Sequence, residues 1–313
     1  MEPIFFEPLY KHNVWGGYKI SEQLKNIDKT QMGESWEISA NKNGVCTIKN
    51  GEFKGKNLKE VFDNKEVRIN IFGEHCRKMK KFPLLIKFID AQENLSVQVH
   101  PSNFYAKNME KDTGKKEMWY VLDCKEDSKI IYGFNDKIKS KKDLKDVNEN
   151  NILSFINYVP IKKGDAIFID SGTIHSIMGE TMVCEIQQNS DITYRVYDWE
   201  RNDKNRPLHL KRAKKVINVN SKANVKNFEN TENQIQKVFY NKFFSTDKIK
   251  IDGENNCKSN TNSFQAITVT EGKGNIICNG KSYEIKKGDS FLIPAKLGKY
   301  TLSGNLELLK TIC

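Results

Sequence analysis

Apolar residues in this chain come in short bursts, many of them alternating with polar positions, and clusters of Gly, Asn, Asp, Ser and Lys separate the bursts. A period of two puts successive side chains on opposite faces of a strand. The pattern predicts strands at Val45–Ile48, Leu84–Ile89, Leu95–His100, Glu117–Leu122, Lys129–Tyr132, Ala166–Ile169, Thr181–Gln187 and Thr193–Tyr197. Two segments switch to helical spacing. Leu58, Val61 and Phe62 predict a helix within Lys56–Phe72, and Leu210, Ala213 and Ile217 predict another within Leu208–Val219. The stretch Asn218–Asn233 is rich in Asn, Ser, Lys and Glu and reads as a linker, after which strand signals resume. The fold class expected is mainly β with a few helices.

An internal repeat refines this picture. Residues 161–169 read IKKGDAIFI and residues 285–293 read IKKGDSFLI. Lys-Gly-Asp makes a tight turn in which Gly takes positive φ, and a buried strand follows. Such turns feeding apolar strands are typical of cupin barrels, so two cupin-like (jelly-roll) β-barrels are expected. The first copy runs on to SGTIH, ending at His175, whereas the second runs on to PAKLGK and has Lys299 at the equivalent place. No histidine occurs after residue 240. The expected division is a catalytic cupin domain with N-terminal strands and helices over residues 1–220, and a cupin-like domain without metal ligands over residues 221–313.

Composition excludes several classes. With 38% hydrophobic and 29% charged residues over 313 positions, the chain has enough apolar content for a packed core. It has no run of some 18 apolar residues, and its N-terminus lacks the basic-then-apolar pattern of a secretory signal, so no membrane partner is expected. Seven cysteines, an odd number with no C-x-x-C pair, argue against a disulfide framework and for a reducing, cytoplasmic setting. The net charge of +11 is spread over scattered lysines. The densest run, Lys137 to Lys145, is interspersed with acids and reads as a solvated surface. No nucleic-acid partner is expected, and the excess charge steers small anions only weakly.

Candidate chemistry lies in three separated pieces. In LSVQVHP, alternation sets Ser96, Gln98 and His100 on one face and Leu95, Val97 and Val99 on the other. The preceding PLLIKFID reads as buried, which turns that polar face toward a barrel lumen. In GKKEMWYVLD, Glu117, Trp119 and Val121 share a face, and His175 follows the first Gly-Asp strand. Two imidazoles, one carboxylate and one amide oxygen form a mixed N/O set suited to zinc with open positions, or to manganese or non-haem iron. His12, His75 and His209 read as ordinary hydrogen-bonded residues.

The motifs FFEPLYKHNVWGG (5–17), GESWEISA (33–40), PLLIKFIDAQENLSVQVHP (83–101), GKKEMWYVLD (114–123), SGTIHSI (171–177) and CEIQQNSDITYRVYDW (184–199) keep their order over most of the first 200 residues. Together they resemble the type I mannose-6-phosphate isomerases, in particular the short bacterial branch. The resemblance implies one Zn2+ per chain held by Gln98, His100, Glu117 and His175, an active-site arginine at Arg195 and an active-site lysine at Lys115. It implies interconversion of mannose 6-phosphate and fructose 6-phosphate through an enediol, with a small-molecule sugar phosphate as partner. For the base that carries the proton, Glu185 and Lys115 stand as alternatives, and Glu185 reads equally as a buried partner of Arg195 or Lys115. Asp191 and Asp198 flank Arg195 and are expected to orient it, and Ser96 is a candidate substrate contact. Trp15 and Trp36 read as packing residues. Two other functions fit the same pieces, a 2-His-1-carboxylate cupin dioxygenase and a non-catalytic sugar-binding cupin protein.

Overall fold

A computed structural model describes residues 1–228, 232 and 234–313. The chain is mainly antiparallel β, with four short α-helices at Leu58–Asp63, Lys65–Phe72, Asn103–Met109 and Leu210–Val216 among the described residues. One five-stranded sheet has the strand Val97–Val99 between His175–Ile177 and Tyr194–Tyr197. An eight-stranded sheet faces it, in which Glu117–Cys124, Thr181–Gln188, Leu84–Ala91, Glu34–Asn41 and Leu9–Lys11 lie side by side in that order. Trp15, Leu95, Trp119, Val121, Tyr132, Ile177 and Val183 fill part of the space between the two sheets. The far face of the five-stranded sheet buries Val97, Val99, Ile131, Ile174 and Val196 against Ala213 and Ile217 of the helical segment.

A second eight-stranded sheet is built from the C-terminal strands, with the long Ser245–Lys258, Gln265–Cys278 and Lys299–Ile312 at its heart. Its interior is a cluster of apolar side chains such as Ile249, Ile267, Val269, Leu306 and Leu308. The N-terminal strand Ile4–Glu7 joins this sheet by pairing with Ser290–Ile293. The two copies of the repeat fold alike. Gly164 and Gly288 take φ of 88° and 89°. In each copy the Asp carboxylate accepts from the Lys amide three residues back, Asp165 from Lys162 at 2.9 Å and Asp289 from Lys286 at 2.8 Å.

Several expectations are corrected. The helix expected over Lys56–Phe72 is two helices broken at Asn64, because the Asn64 side chain accepts from the Glu66 amide and starts a new helix. The helix expected over Leu208–Val219 spans only Leu210–Val216, and Val45–Ile48 is two short strands interrupted at Cys46. Within the expected linker, Val225–Lys226 is a strand on the edge of the sheet that holds Glu117–Cys124, paired with Ala166–Ile167. The linker's residues 229–231 and 233 lie outside the described residues. Leu95 does not follow Val97 and Val99. It precedes the strand, escapes the alternation and packs with Trp119 between the sheets.

Candidate metal centre and substrate cavity

His100, Glu117 and His175 come from three strands or strand ends, and their ligand atoms lie within 4.8 Å of one another, all buried. Backbone register explains the convergence. His175 pairs with Gln98 across one ladder, which sets it beside the polar face of the LSVQVHP segment. Glu117 opens its strand opposite Ile169, the last residue of the Gly-Asp strand that leads to His175. The imidazoles are oriented by backbone carbonyls. Nδ1 of His100 is 2.9 Å from the Ile192 oxygen and Nδ1 of His175 is 2.8 Å from the Thr173 oxygen. A carbonyl only accepts, so both Nδ1 atoms carry the proton and each Nε2 presents a lone pair.

Those lone pairs face the carboxylate of Glu117, His100 Nε2 at 3.4 Å and His175 Nε2 at 3.2 Å. Burial, and then Lys115, push the His100 imidazole down to about 3, outweighing Glu117, so it is neutral at physiological pH. Burial alone pushes Glu117 up, but Lys115 at 3.0 Å more than offsets it and holds the carboxyl well below its usual range. His100 Nε2 is buried without a hydrogen-bond partner, and apart from the ion pair with Lys115 the Glu117 oxygens have none either. Electron pairs of neutral imidazole and carboxylate turned on one point repel unless a cation sits between them. The donor set therefore fits a divalent metal. Gln98 stands at its edge, its amide nitrogen 3.4 Å from His175 Nε2. Half a turn of the amide presents the oxygen instead.

A cavity of about 430 Å³ opens beside this centre, lined among others by Ser96, Gln98, Lys115, Glu185 and Arg195. Ser96 is buried, with its hydroxyl 3.4 Å from the Gln98 amide oxygen. Glu185 projects into the cavity, but its partner is neither Arg195 nor Lys115. It pairs with Lys87 at 2.9 Å and accepts from the Trp119 indole at 2.9 Å. The reason is register: Lys87 and Trp119 lie opposite Glu185 on the two flanking strands. Lys87 also reaches Glu34 at 3.2 Å, and Glu34 accepts from the Trp36 indole at 2.6 Å. Burial and the Arg206 charge lower the Arg195 guanidinium below its usual value. Asp198 does not chiefly orient it, because its two oxygens take Arg206 at 2.7 and 2.9 Å while Arg195 Nε stands 3.8 Å away. Asp191 accepts instead from the Asn43 amide at 3.0 Å.

Lys87, Glu34 and Arg206 are cavity residues that the pattern of the sequence does not single out. The signal available for Lys87 is a lone lysine inside LLIKFI, a run buried along its whole length. A charge at such a position needs carboxylate partners. Trp15 and Trp36 also line the cavity, so their packing carries part of its wall. His12, His75 and His209 are held by ordinary hydrogen bonds to Gln31, Cys313 and Arg195 backbone atoms.

Fold and donor set together define a cupin-type β protein with a two-histidine, one-carboxylate centre at the edge of a polar cavity. Residues 4–126 match the family described as phosphomannose isomerase type I, catalytic domain, and residues 234–312 match mannose-6-phosphate isomerase, cupin domain. The chain is 36% identical over 316 residues to mannose-6-phosphate isomerase ManA of Bacillus subtilis, with 98% of each covered. It is 34% identical over 318 residues to the mannose-6-phosphate isomerase of Streptococcus mutans, covering 98% of this chain and 97% of that one. The crystal structure of mannose 6-phosphate isomerase from Bacillus subtilis superposes with a TM-score of 0.88 at 35% identity, over 99% of each chain. The chain belongs to the type I mannose-6-phosphate isomerase family.

Proposed function

We infer that this protein is an aldose–ketose isomerase that interconverts mannose 6-phosphate and fructose 6-phosphate. The observation that carries the reading is the pair of Nδ1-anchored imidazoles whose Nε2 atoms converge on the buried carboxylate of Glu117. We assign His100, Glu117, His175 and Gln98 as the residues that hold one Zn2+ per chain, since imidazole, carboxylate and amide oxygen suit a borderline cation. When bound, such an ion supplies Lewis acidity toward the sugar oxygens.

The chain's own groups do the rest. Glu185 is the base in this reading. It takes the C2 proton of the open-chain sugar and returns it to C1, the hydroxyl proton passing from O2 to O1, while Lys87 and the Trp119 indole fix its orientation. Arg195 presents a half-buried cation, its Nε without a hydrogen-bond partner, to the oxyanion that develops as that proton leaves. Lys115 keeps Glu117 ionised and borders the bound sugar, and Ser96 contacts it from the same strand face as Gln98. Residues 1–220 are read as the catalytic cupin domain and 221–313 as a cupin-like domain without ligands. The seven free cysteines support a cytoplasmic setting. No helix among the described residues is long and apolar enough to cross a membrane.

The test is conversion of mannose 6-phosphate to fructose 6-phosphate before chelation, after it, and after zinc is restored. Turnover that is lost on chelation, recovers with zinc and proceeds without oxygen is the expected outcome. Binding without conversion after zinc is restored supports a sugar-binding protein, and a requirement for oxygen supports a dioxygenase. Glu185→Gln lowers kcat about 10²- to 10⁴-fold if Glu185 is the base. The larger loss falls to Lys115→Met if the lysine carries the proton.

A further inference from the structure

We propose that Lys11, at the far rim of the cavity from the metal centre, is a substrate-binding residue that takes the phosphate of the sugar phosphate. This rests on the isomerase reading above. The argument is an accounting of cations. Five basic side chains line the cavity: Lys11, Lys87, Lys115, Arg195 and Arg206. Three are already matched with carboxylates. Lys87 is held between Glu34 and Glu185, Lys115 lies against Glu117, and Arg206 grips both oxygens of Asp198. A phosphate dianion gains little from a cation that must first leave a buried partner. Arg195 is matched only loosely, at 3.8 Å from Asp198.

Lys11 is the remaining one. Its ammonium donates to the Asn43 carbonyl at 3.0 Å and lies 4.7 Å from the centre of the Trp36 ring, both neutral partners. The strand pairing sets Lys11 directly opposite Glu34, the carboxylate from which a partner would be expected. Glu34 turns instead to Lys87 and the Trp36 indole. Asp191, the other carboxylate at this rim, is engaged by the Asn43 side-chain amide. Asn43 thus receives the lysine on its carbonyl and holds the aspartate with its amide. Lys11 is left as an ammonium in the cavity wall that rests on an aromatic face and has no carboxylate partner. A compact point charge on a flexible stem is suited to a phosphate, which offers three equivalent oxygens.

Lys11→Met keeps the aliphatic contact with Trp36 and removes the charge, and Lys11→Arg restores it. In the zinc-loaded enzyme, Lys11→Met is expected to raise KM for mannose 6-phosphate about tenfold or more, with kcat within about twofold. The inhibition constant for inorganic phosphate should rise in parallel, while Lys11→Arg returns KM to within about threefold of the wild type. Calorimetric titration with inorganic phosphate reads the same contact without turnover, so it still tests Lys11 if the wild type proves not to be an isomerase. Lys11→Gln serves if the Met variant does not fold. Unchanged KM and phosphate affinity in the Met or Gln variant overturn the proposal, as does a fall in kcat at constant KM.

Discussion

The two Lys-Gly-Asp turns are the same piece of structure twice, and the spaces they border differ in kind. Aligning the repeats through the strands they feed puts Gln265, opposite Ile293, where Glu117 stands opposite Ile169. Gln265 accepts a hydrogen bond from the Tyr300 hydroxyl, and the next door position, Lys299, points to solvent where His175 is buried. In the N-terminal half, a carboxylate and two imidazoles leave electron pairs unmatched. In the C-terminal half, an amide and a phenol satisfy each other beneath an apolar core. The turn and its strand specify the fold in both halves. The chemistry depends on whether the inward-facing polar groups are completed by one another or left for a ligand.

That contrast can be broken most severely at the ligands. Glu117→Gln, which copies the C-terminal arrangement, removes the anionic donor while keeping its shape. It is expected to lower kcat/KM by roughly a thousandfold or more, read by a coupled isomerase assay, since both the electrophile and the charge on the site are compromised. Arg195→Met is next, with kcat falling about 10²- to 10³-fold if its cation meets the developing oxyanion. An unchanged kcat would reassign Arg195 to structure.

Gln265→Leu probes the other half. It removes the amide oxygen that accepts from the Tyr300 hydroxyl, so thermal denaturation should show a loss of about 1–3 kcal/mol, while kcat/KM stays within about twofold. A large catalytic loss would mean that the C-terminal half contributes more than packing. The smallest effect expected is at Glu34. Burial pushes its carboxyl up, but Lys87 and the Trp36 indole more than offset that and hold it below the ordinary value of 4.5. A folded-state pKa below the unfolded one contributes stability that is present above pH 4.5 and lost as pH falls through the depressed value. The melting-temperature gap between wild type and Glu34→Gln should therefore be widest near neutrality and close on acidification below that point.

Much of the centre was legible because it lies on ordinary alternation. Gln98 and His100 share one face of a strand whose other face is Val97 and Val99, and His175 follows a turn whose glycine and aspartate announce it. The Lys87–Glu185 pair was not legible, because the strand Leu84–Ala91 is covered on both faces and its continuous apolar run hides which side Lys87 takes. Ile86 and Phe88 enter one core and Lys87 the cavity, a choice made by the neighbouring strands. The pairing of Ile4–Glu7 with Ser290–Ile293 was hidden for a related reason, since contacts between the two ends of a chain leave no local periodicity. The break at Asn64 did carry a local signal, an asparagine two residues before a glutamate, which the helical spacing of the flanking apolar residues masked.

The most direct measurement of the central claim is the metal content of purified protein, by elemental analysis, for the wild type and for His100→Ala/His175→Ala. One divalent ion per chain in the wild type and almost none in the folded double variant is the result this account predicts. A double variant that keeps its full complement, or a wild type that takes up no ion even from excess zinc, would contradict it.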